Sequence, residues 1–163
     1  MRYAGLIKDD VNNGDGVGLT LFTQFCPHHC RGCQNPETWS KTGGLEYTNS
    51  VYNDIINYFM EHKYATRLTL SGGDPICSPD ITQPLCKKIK EIRPDVKIWL
   101  YTGYIFENIK DNPILEYIDV MVDGPFIMEQ RDITLRFRGS ANQRIIDVQE
   151  SIKKGETILY GQQ

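Results

Sequence analysis

Residues 17–25 form an apolar, β-branched run behind Gly14, Gly16 and Gly18, a pattern that predicts a strand entered from a turn. Residues 34–47 are polar, carry Pro36, Gly43 and Gly44, and read as a loop. Over residues 48–63 the apolar positions Val51, Ile55, Ile56, Tyr58 and Phe59 recur at helical spacing, with Thr48 or Asn49 as the cap. Residues 67–70 are a short strand that runs into Ser71-Gly72-Gly73-Asp74-Pro75. A helix is expected over 79–92, ended by Pro94, and then a strand over 96–101 that stops at Thr102-Gly103. A helical stretch around 104–117 is interrupted near Pro113, and a strand over 118–122 stops at Asp123-Gly124-Pro125. Residues 136–137 and 157–160 are candidates for short strands.

Strands and helices therefore alternate, which implies an α/β domain with parallel strands. Sites in such folds gather at the C-terminal ends of the strands. The loop after the first strand and the turns at Gly72-Gly73-Asp74-Pro75, Thr102-Gly103 and Asp123-Gly124-Pro125 should then converge on one face. A closed eight-unit barrel needs about 250 residues. At 163 residues, with about 30 residues per unit, the chain holds about five units and cannot close one. The expected architecture is an incomplete, open (β/α) barrel, built as one domain over residues 1–163.

The net charge of −3 lends no support to nucleic-acid binding and offers no polybasic membrane patch. No run approaches the roughly 18 apolar residues of a membrane span. The first ten residues lack an apolar signal core, and Asp9-Asp10 argues against a transit peptide, so a cytoplasmic location is expected. The five cysteines fit that compartment, where clustered cysteines bind metal more often than they pair.

Three of those cysteines lie in Cys26-Pro27-His28-His29-Cys30-Arg31-Gly32-Cys33. Three thiolates this close can hold three corners of a [4Fe–4S] cluster, whose ordinary ligands are four. The fourth iron is then open to a small molecule. A zinc site completed by a His or a distant Cys, or plain reduced thiols, are the alternatives on spacing alone. Cys77 and Cys86 pair with nothing and read as inert. His28 and His29 are expected to face solvent, with hydrogen bonding to cluster sulfur as the alternative. His62 reads as a surface helix residue. Gly72 and Gly73 let backbone approach a ligand closely, and Asp74 can add a charge-assisted bond. Arg131, Arg136, Arg138 and Arg144, with Glu129 and Asp132, are either a solvated mixed-charge surface or a group that binds a carboxylate or a partner loop.

The Cys-x3-Cys-x2-Cys run resembles the cluster motif of the radical S-adenosylmethionine (SAM) superfamily. More narrowly, five segments resemble the activating proteins of anaerobic (class III) ribonucleoside-triphosphate reductases. They are Asn13-Gly14-Asp15-Gly16, residues 21–39, Leu70-Ser71-Gly72-Gly73-Asp74-Pro75 with Val122-Asp123-Gly124-Pro125-Phe126, and residues 138–147. The chain departs from the wider patterns at Asp15 for Pro, Phe25 for Gly, Gly32 for an aromatic, and Asp74 for Glu.

The resemblance implies an oxidoreductase that cleaves SAM reductively at one [4Fe–4S] cluster. The resulting 5′-deoxyadenosyl radical would generate a glycyl radical on the large subunit of the reductase. Cys26, Cys30 and Cys33 would ligate iron, Gly72, Gly73 and Asp74 would address the SAM amino group, and Gly32 and Gln34 would flank SAM on the cluster loop. A low-potential donor such as flavodoxin, and homodimerisation, are carried by the same resemblance. Alternatives are an activase of another glycyl-radical enzyme, such as pyruvate formate-lyase, and a non-catalytic zinc or iron–sulfur module.

Overall fold

The computed structural model describes residues 1–161. Strands β2 (Gly18–Thr23), β4 (Arg67–Gly72), β5 (Lys97–Tyr101) and β6 (Val120–Asp123) lie side by side and parallel. They are joined through helices α1 (Asn49–Glu61), α2 (Pro79–Ile92) and the short α3 (Phe106–Ile109). Successive strand residues point to opposite faces. Leu19, Leu21, Leu68, Leu70, Ile98 and Leu100 go to the helix side, packed with Ile55 and Phe59 of α1 and Leu85 and Ile89 of α2. Each such burial is worth about 1.5–3 kcal/mol. The Thr48 hydroxyl caps α1 by accepting from the Val51 N–H at 3.4 Å.

The opposite face of the sheet is built differently. Trp99, Val120 and Val122 pack there with Phe137, Ile145 and Tyr160. Beside them the fully buried Arg67 guanidinium donates to Thr69 Oγ1 (2.8 Å), the Gly14 carbonyl (2.7 Å), the Gly16 carbonyl (2.9 Å) and Asp10 Oδ2 (2.8 Å). The Thr20 hydroxyl also donates to Asp10 Oδ2, at 2.6 Å. Arg67 thereby folds the 11–17 loop under the sheet. At Gly14 a Cβ would lie 2.6 Å from Arg67 Cδ and 2.9 Å from the Trp99 ring, so only glycine lets the loop come this close.

Three antiparallel strands extend the sheet. β1 (Arg2–Asp10) pairs with β2, β3 (Leu45–Glu46) with β1, and β7 (Arg144–Asp147) with β6. The order is β3-β1-β2-β4-β5-β6-β7, a mixed seven-stranded sheet that does not close on itself. Four parallel strands are present where about five units were expected; the remaining length goes into the antiparallel edges and α4 (Val148–Lys154). Residues 136–137 are not strand, and 157–160 contribute one bridge, Ile146 to Leu159. The expected helix over 104–117 is α3 followed by a 3-10 turn at Pro113–Glu116, because Asn112 caps a new start ahead of the proline. Among the described residues no helix is long and apolar enough to cross a membrane.

Replacing Arg67 with Met strands the Asp10 carboxylate and several carbonyls, an expected loss of about 3–5 kcal/mol. Burial raises the Asp10 pKa, but hydrogen bonds from Thr20, Asn12 and Asn13 and the Arg67 charge together hold it below its ordinary 3.8. The Asp10 contribution is therefore full above 3.8 and lost as pH falls through the lowered folded value. Denaturant unfolding of the cluster-free chains should show a wide gap between wild type and Arg67→Met at neutral pH, narrowing in acid.

Candidate functional site

The four loops at the C-terminal ends of the parallel strands do converge. Leaving β2, the chain is sewn to the turn after β4: the Gly73 N–H donates to the Thr23 carbonyl (2.8 Å) and the Asp74 N–H to the Phe25 carbonyl (2.9 Å). The Thr102 N–H donates to the Val122 carbonyl (3.0 Å) and the Gly124 N–H to the Tyr104 carbonyl (2.9 Å), which links the next two turns. The cysteine loop closes on itself through the buried Gln24, whose amide donates to the Glu37 (2.9 Å) and Ser40 (2.7 Å) carbonyls.

Within the loop, left-handed backbone at Phe25 (φ 85°), His29 (φ 48°) and Gly32 (φ 76°) turns the chain so that Cys26, Cys30 and Cys33 are all half-buried. Gly32 packs under Met128, whose sulfur lies 2.6 Å from where a Cβ would stand, with the Phe126 ring at 3.4 Å. The side-chain space at position 32 is thus filled from the loop after β6. Phe25 occupies a conformation that glycine adopts without penalty, which is what its departure from the family pattern costs.

The donor set fits an iron–sulfur group. The His28 backbone N–H favours the Cys26 thiolate, and the Asn35 N–H donates to Cys33 Sγ at 3.4 Å. Burial nonetheless pushes the Cys26 thiol up to about 11, so a bound cation must displace its proton. Among the described residues no three His, Cys, Asp or Glu side chains converge tightly enough for one metal ion. A cubic cluster asks each thiolate for a different iron, whereas zinc needs its ligands gathered at about 2.3 Å.

A cleft of about 420 Å³ opens beside Cys33 and Gln34, walled by Phe22, Ser71 and Tyr101 of the strand ends and by Arg138 across from them. Of the four arginines singled out in the sequence, Arg138 is the one that lines this cleft. Arg144 is held by Asp123 and Glu107, Arg136 pairs with Asp15 at 2.9 Å, and Arg131 is exposed. Arg31 on the cysteine loop pairs with Glu129 on the facing strap.

Asp74 lies in the middle of the convergence and is 1% exposed. Its carboxylate accepts from the Ile76 N–H (3.1 Å), Thr102 Oγ1 (2.9 Å), the Gly103 N–H (3.0 Å) and His28 Nε2 (2.6 Å). His28 is therefore turned inward, contrary to its expected solvent exposure, because a buried carboxylate waits for it. No spacing rule signals a partner 46 residues away. His29 does face solvent, stacked on Trp39 with centroids 4.7 Å apart. Cys86 is in the helix-side core, and Cys77 is half-buried with its sulfur 3.8 Å from the Tyr104 hydroxyl; burial raises both thiols.

A family described as a 4Fe-4S single cluster domain matches residues 12–146. The chain is similar to the anaerobic ribonucleoside-triphosphate reductase-activating protein of Vibrio cholerae, 43% identical over 150 residues that cover 89% of this chain and 97% of that one. The protein of the same name from Haemophilus influenzae is 39% identical over 150 residues, again 89% and 97% of the two chains. That from Escherichia coli K12 is 35% identical over 149 residues, 88% and 96%.

The left-handed backbone at Phe25 sets an order among variants. Phe25→Ala keeps the unfavourable φ and loses the ring, whereas Phe25→Gly loses the ring and relieves the strain. Thermal unfolding should place the Gly variant above the Ala variant by about 1 kcal/mol, the reverse of their order at an ordinary loop position.

Proposed function

The chain belongs to the family of anaerobic ribonucleoside-triphosphate reductase-activating proteins and carries a 4Fe-4S domain, and on that premise we propose that it is a radical SAM activase. Cys26, Cys30 and Cys33 would hold one [4Fe–4S] cluster, and the cleft beside Cys33 is the space assigned to SAM. Its volume of about 420 Å³ falls within the ordinary range for small-molecule sites. The observation that carries the reading is the stitching of a three-thiol loop onto a Gly-Gly-Asp-Pro turn that follows Ser71 of the cleft wall.

With one electron from a low-potential donor such as flavodoxin, the bound cofactors supply cleavage of SAM to methionine and a 5′-deoxyadenosyl radical, which takes a hydrogen atom from a reductase glycine. The chain's own residues bind and orient. The Gly73 carbonyl accepts no hydrogen bond among the described residues and suits the SAM amino group, together with the Gly72 backbone. Arg138 offers a guanidinium to the SAM carboxylate, and Gln34, next to Cys33 and two residues after Gly32, completes the wall on the cysteine loop. Phe22 and Tyr101 keep water from the reacting atoms. The open sheet, read as a shortened radical SAM barrel in one domain, leaves a side by which the glycine loop of the reductase large subunit can enter.

Anaerobic reconstitution with iron and sulfide, then incubation with SAM and dithionite, tests this. The wild-type protein should turn brown and form 5′-deoxyadenosine, with a glycyl doublet in the electron paramagnetic resonance spectrum only when reductase is present. Cys30→Ala should unfold at the wild-type temperature yet give neither product nor doublet. A colourless wild-type protein that retains zinc, or SAM turnover by Cys30→Ala, would overturn the assignment.

A further inference from the structure

We propose that Asp74 is a positioning residue for the cysteine loop, acting through His28 and not by side-chain contact with a bound ligand. The inference rests on reading Cys26, Cys30 and Cys33 as the iron ligands. A carboxylate offers about four lone-pair sites. Three of the donors around Asp74, from Thr102, Gly103 and His28, crowd Oδ2, and the Ile76 N–H takes a site on Oδ1. An incoming ammonium group would find Oδ2 filled and would have to reach the remaining site on Oδ1 of a residue that is 1% exposed.

The imidazole is seated as firmly as the carboxylate. His28 lies edge-on to the Tyr104 ring, centroids 4.5 Å apart. On its other side is Gly103, where a Cβ would stand 2.5 Å from His28 Cδ2. Gly103 is thus glycine because His28 needs the room. Two charged or polar groups and one missing methyl fix a residue that sits midway between Cys26 and Cys30. That same residue stands two positions from each of these cysteines, on a loop whose next residue, His29, is left-handed. Partners that orient the ligands of a metal centre tune it, so whatever holds His28 in place between two of the cysteines acts on the cluster site. The departure of Asp for Glu at position 74 then has a physical reason. A carboxylate one methylene longer would drive its oxygens into the imidazole.

The test compares wild type with Asp74→Asn, His28→Ala, Gly103→Ala and the Asp74→Asn/His28→Ala double variant, all reconstituted anaerobically. The readouts are iron loss to a chelator, midpoint potential, SAM affinity of the cluster-bearing fraction, and thermal midpoint of the cluster-free chain. Outer-shell partners typically govern metal affinity by about 10–100-fold, so each single variant should shed iron faster by that order. The double variant should be no worse than its worse parent, since both changes break one contact. Gly103→Ala, which keeps both Asp74 and His28, should behave like His28→Ala. All should shift the potential in one direction and leave SAM affinity at the wild-type value.

Weakened SAM binding in Asp74→Asn with normal iron retention, and no effect of His28→Ala, would make Asp74 a ligand contact and overturn the proposal. Lowered thermal midpoints with unchanged iron retention and potential would make the pair purely structural and overturn it too. If the variants hold iron as wild type does, the inference alone falls. If wild type takes up no iron, the reading of the three cysteines falls and takes the inference with it.

Discussion

A fully buried guanidinium has to be satisfied on every N–H, and at Arg67 that requirement organises the inner face of the sheet. The helix side needs no such device, because leucine and isoleucine on β2, β4 and β5 meet an apolar helix layer. The inner side has no helix packed on it from α1 or α2 and is filled by loop. Backbone carbonyls of that loop would be orphaned against the strands unless something donated to them. Arg67 supplies the donors, Asp10 balances the charge, and Gly14 allows the approach. The result is a polar floor of fixed shape. The cleft opens above it, between Asn12 and Asn13 on one side and Arg138 on the other.

Above that floor the structure trades rigidity for access in a graded way. The base of the cysteine loop is tied by backbone bonds to the turn after β4, and its centre is tied by His28 to Asp74. Its outer rim carries an exposed ion pair, Arg31 with Glu129. Surface pairs of this kind contribute about 0–1 kcal/mol. Cys26 therefore sits on the stiff part of the loop, and the segment around Arg31 is the part that yields most easily.

Much of the frame was legible because its elements are strongly patterned. The strands at 18–23, 67–72 and 97–101 and the helices at 49–61 and 79–92 carry unbroken apolar runs or helical periodicity. β1 was not legible: Arg2, Lys8, Asp9 and Asp10 break its alternation, and one side of it lies at the sheet margin, so burial never imposed a pattern. β7 begins with Arg144 and ends with Asp147, both recruited to ion pairs or caps, and four residues are too few for a period to show. At the site, the three cysteines and the Gly-Gly-Asp-Pro turn announce themselves by spacing. The inward turn of Asp74 does not, because it depends on His28 and Thr102, residues 46 and 28 positions away. Phe25 was visible as a departure from a family pattern, and its meaning required the dihedral angle.

The three left-handed residues at 25, 29 and 32 have a consequence for assembly. Fixing the backbone of a flexible residue costs about 1–2 kcal/mol in conformational entropy. In a small metal-dependent domain that cost falls on the binding event, and loss of metal means loss of the fold. Here the bonds that stitch the base of the loop and pin its centre are made by protein groups of the sheet and its turns. The ordering cost is met when the sheet forms. The bend at 25, 29 and 32 is thus a property shared with the sheet and the turn after β4, so a change in either reaches the cysteines without touching them.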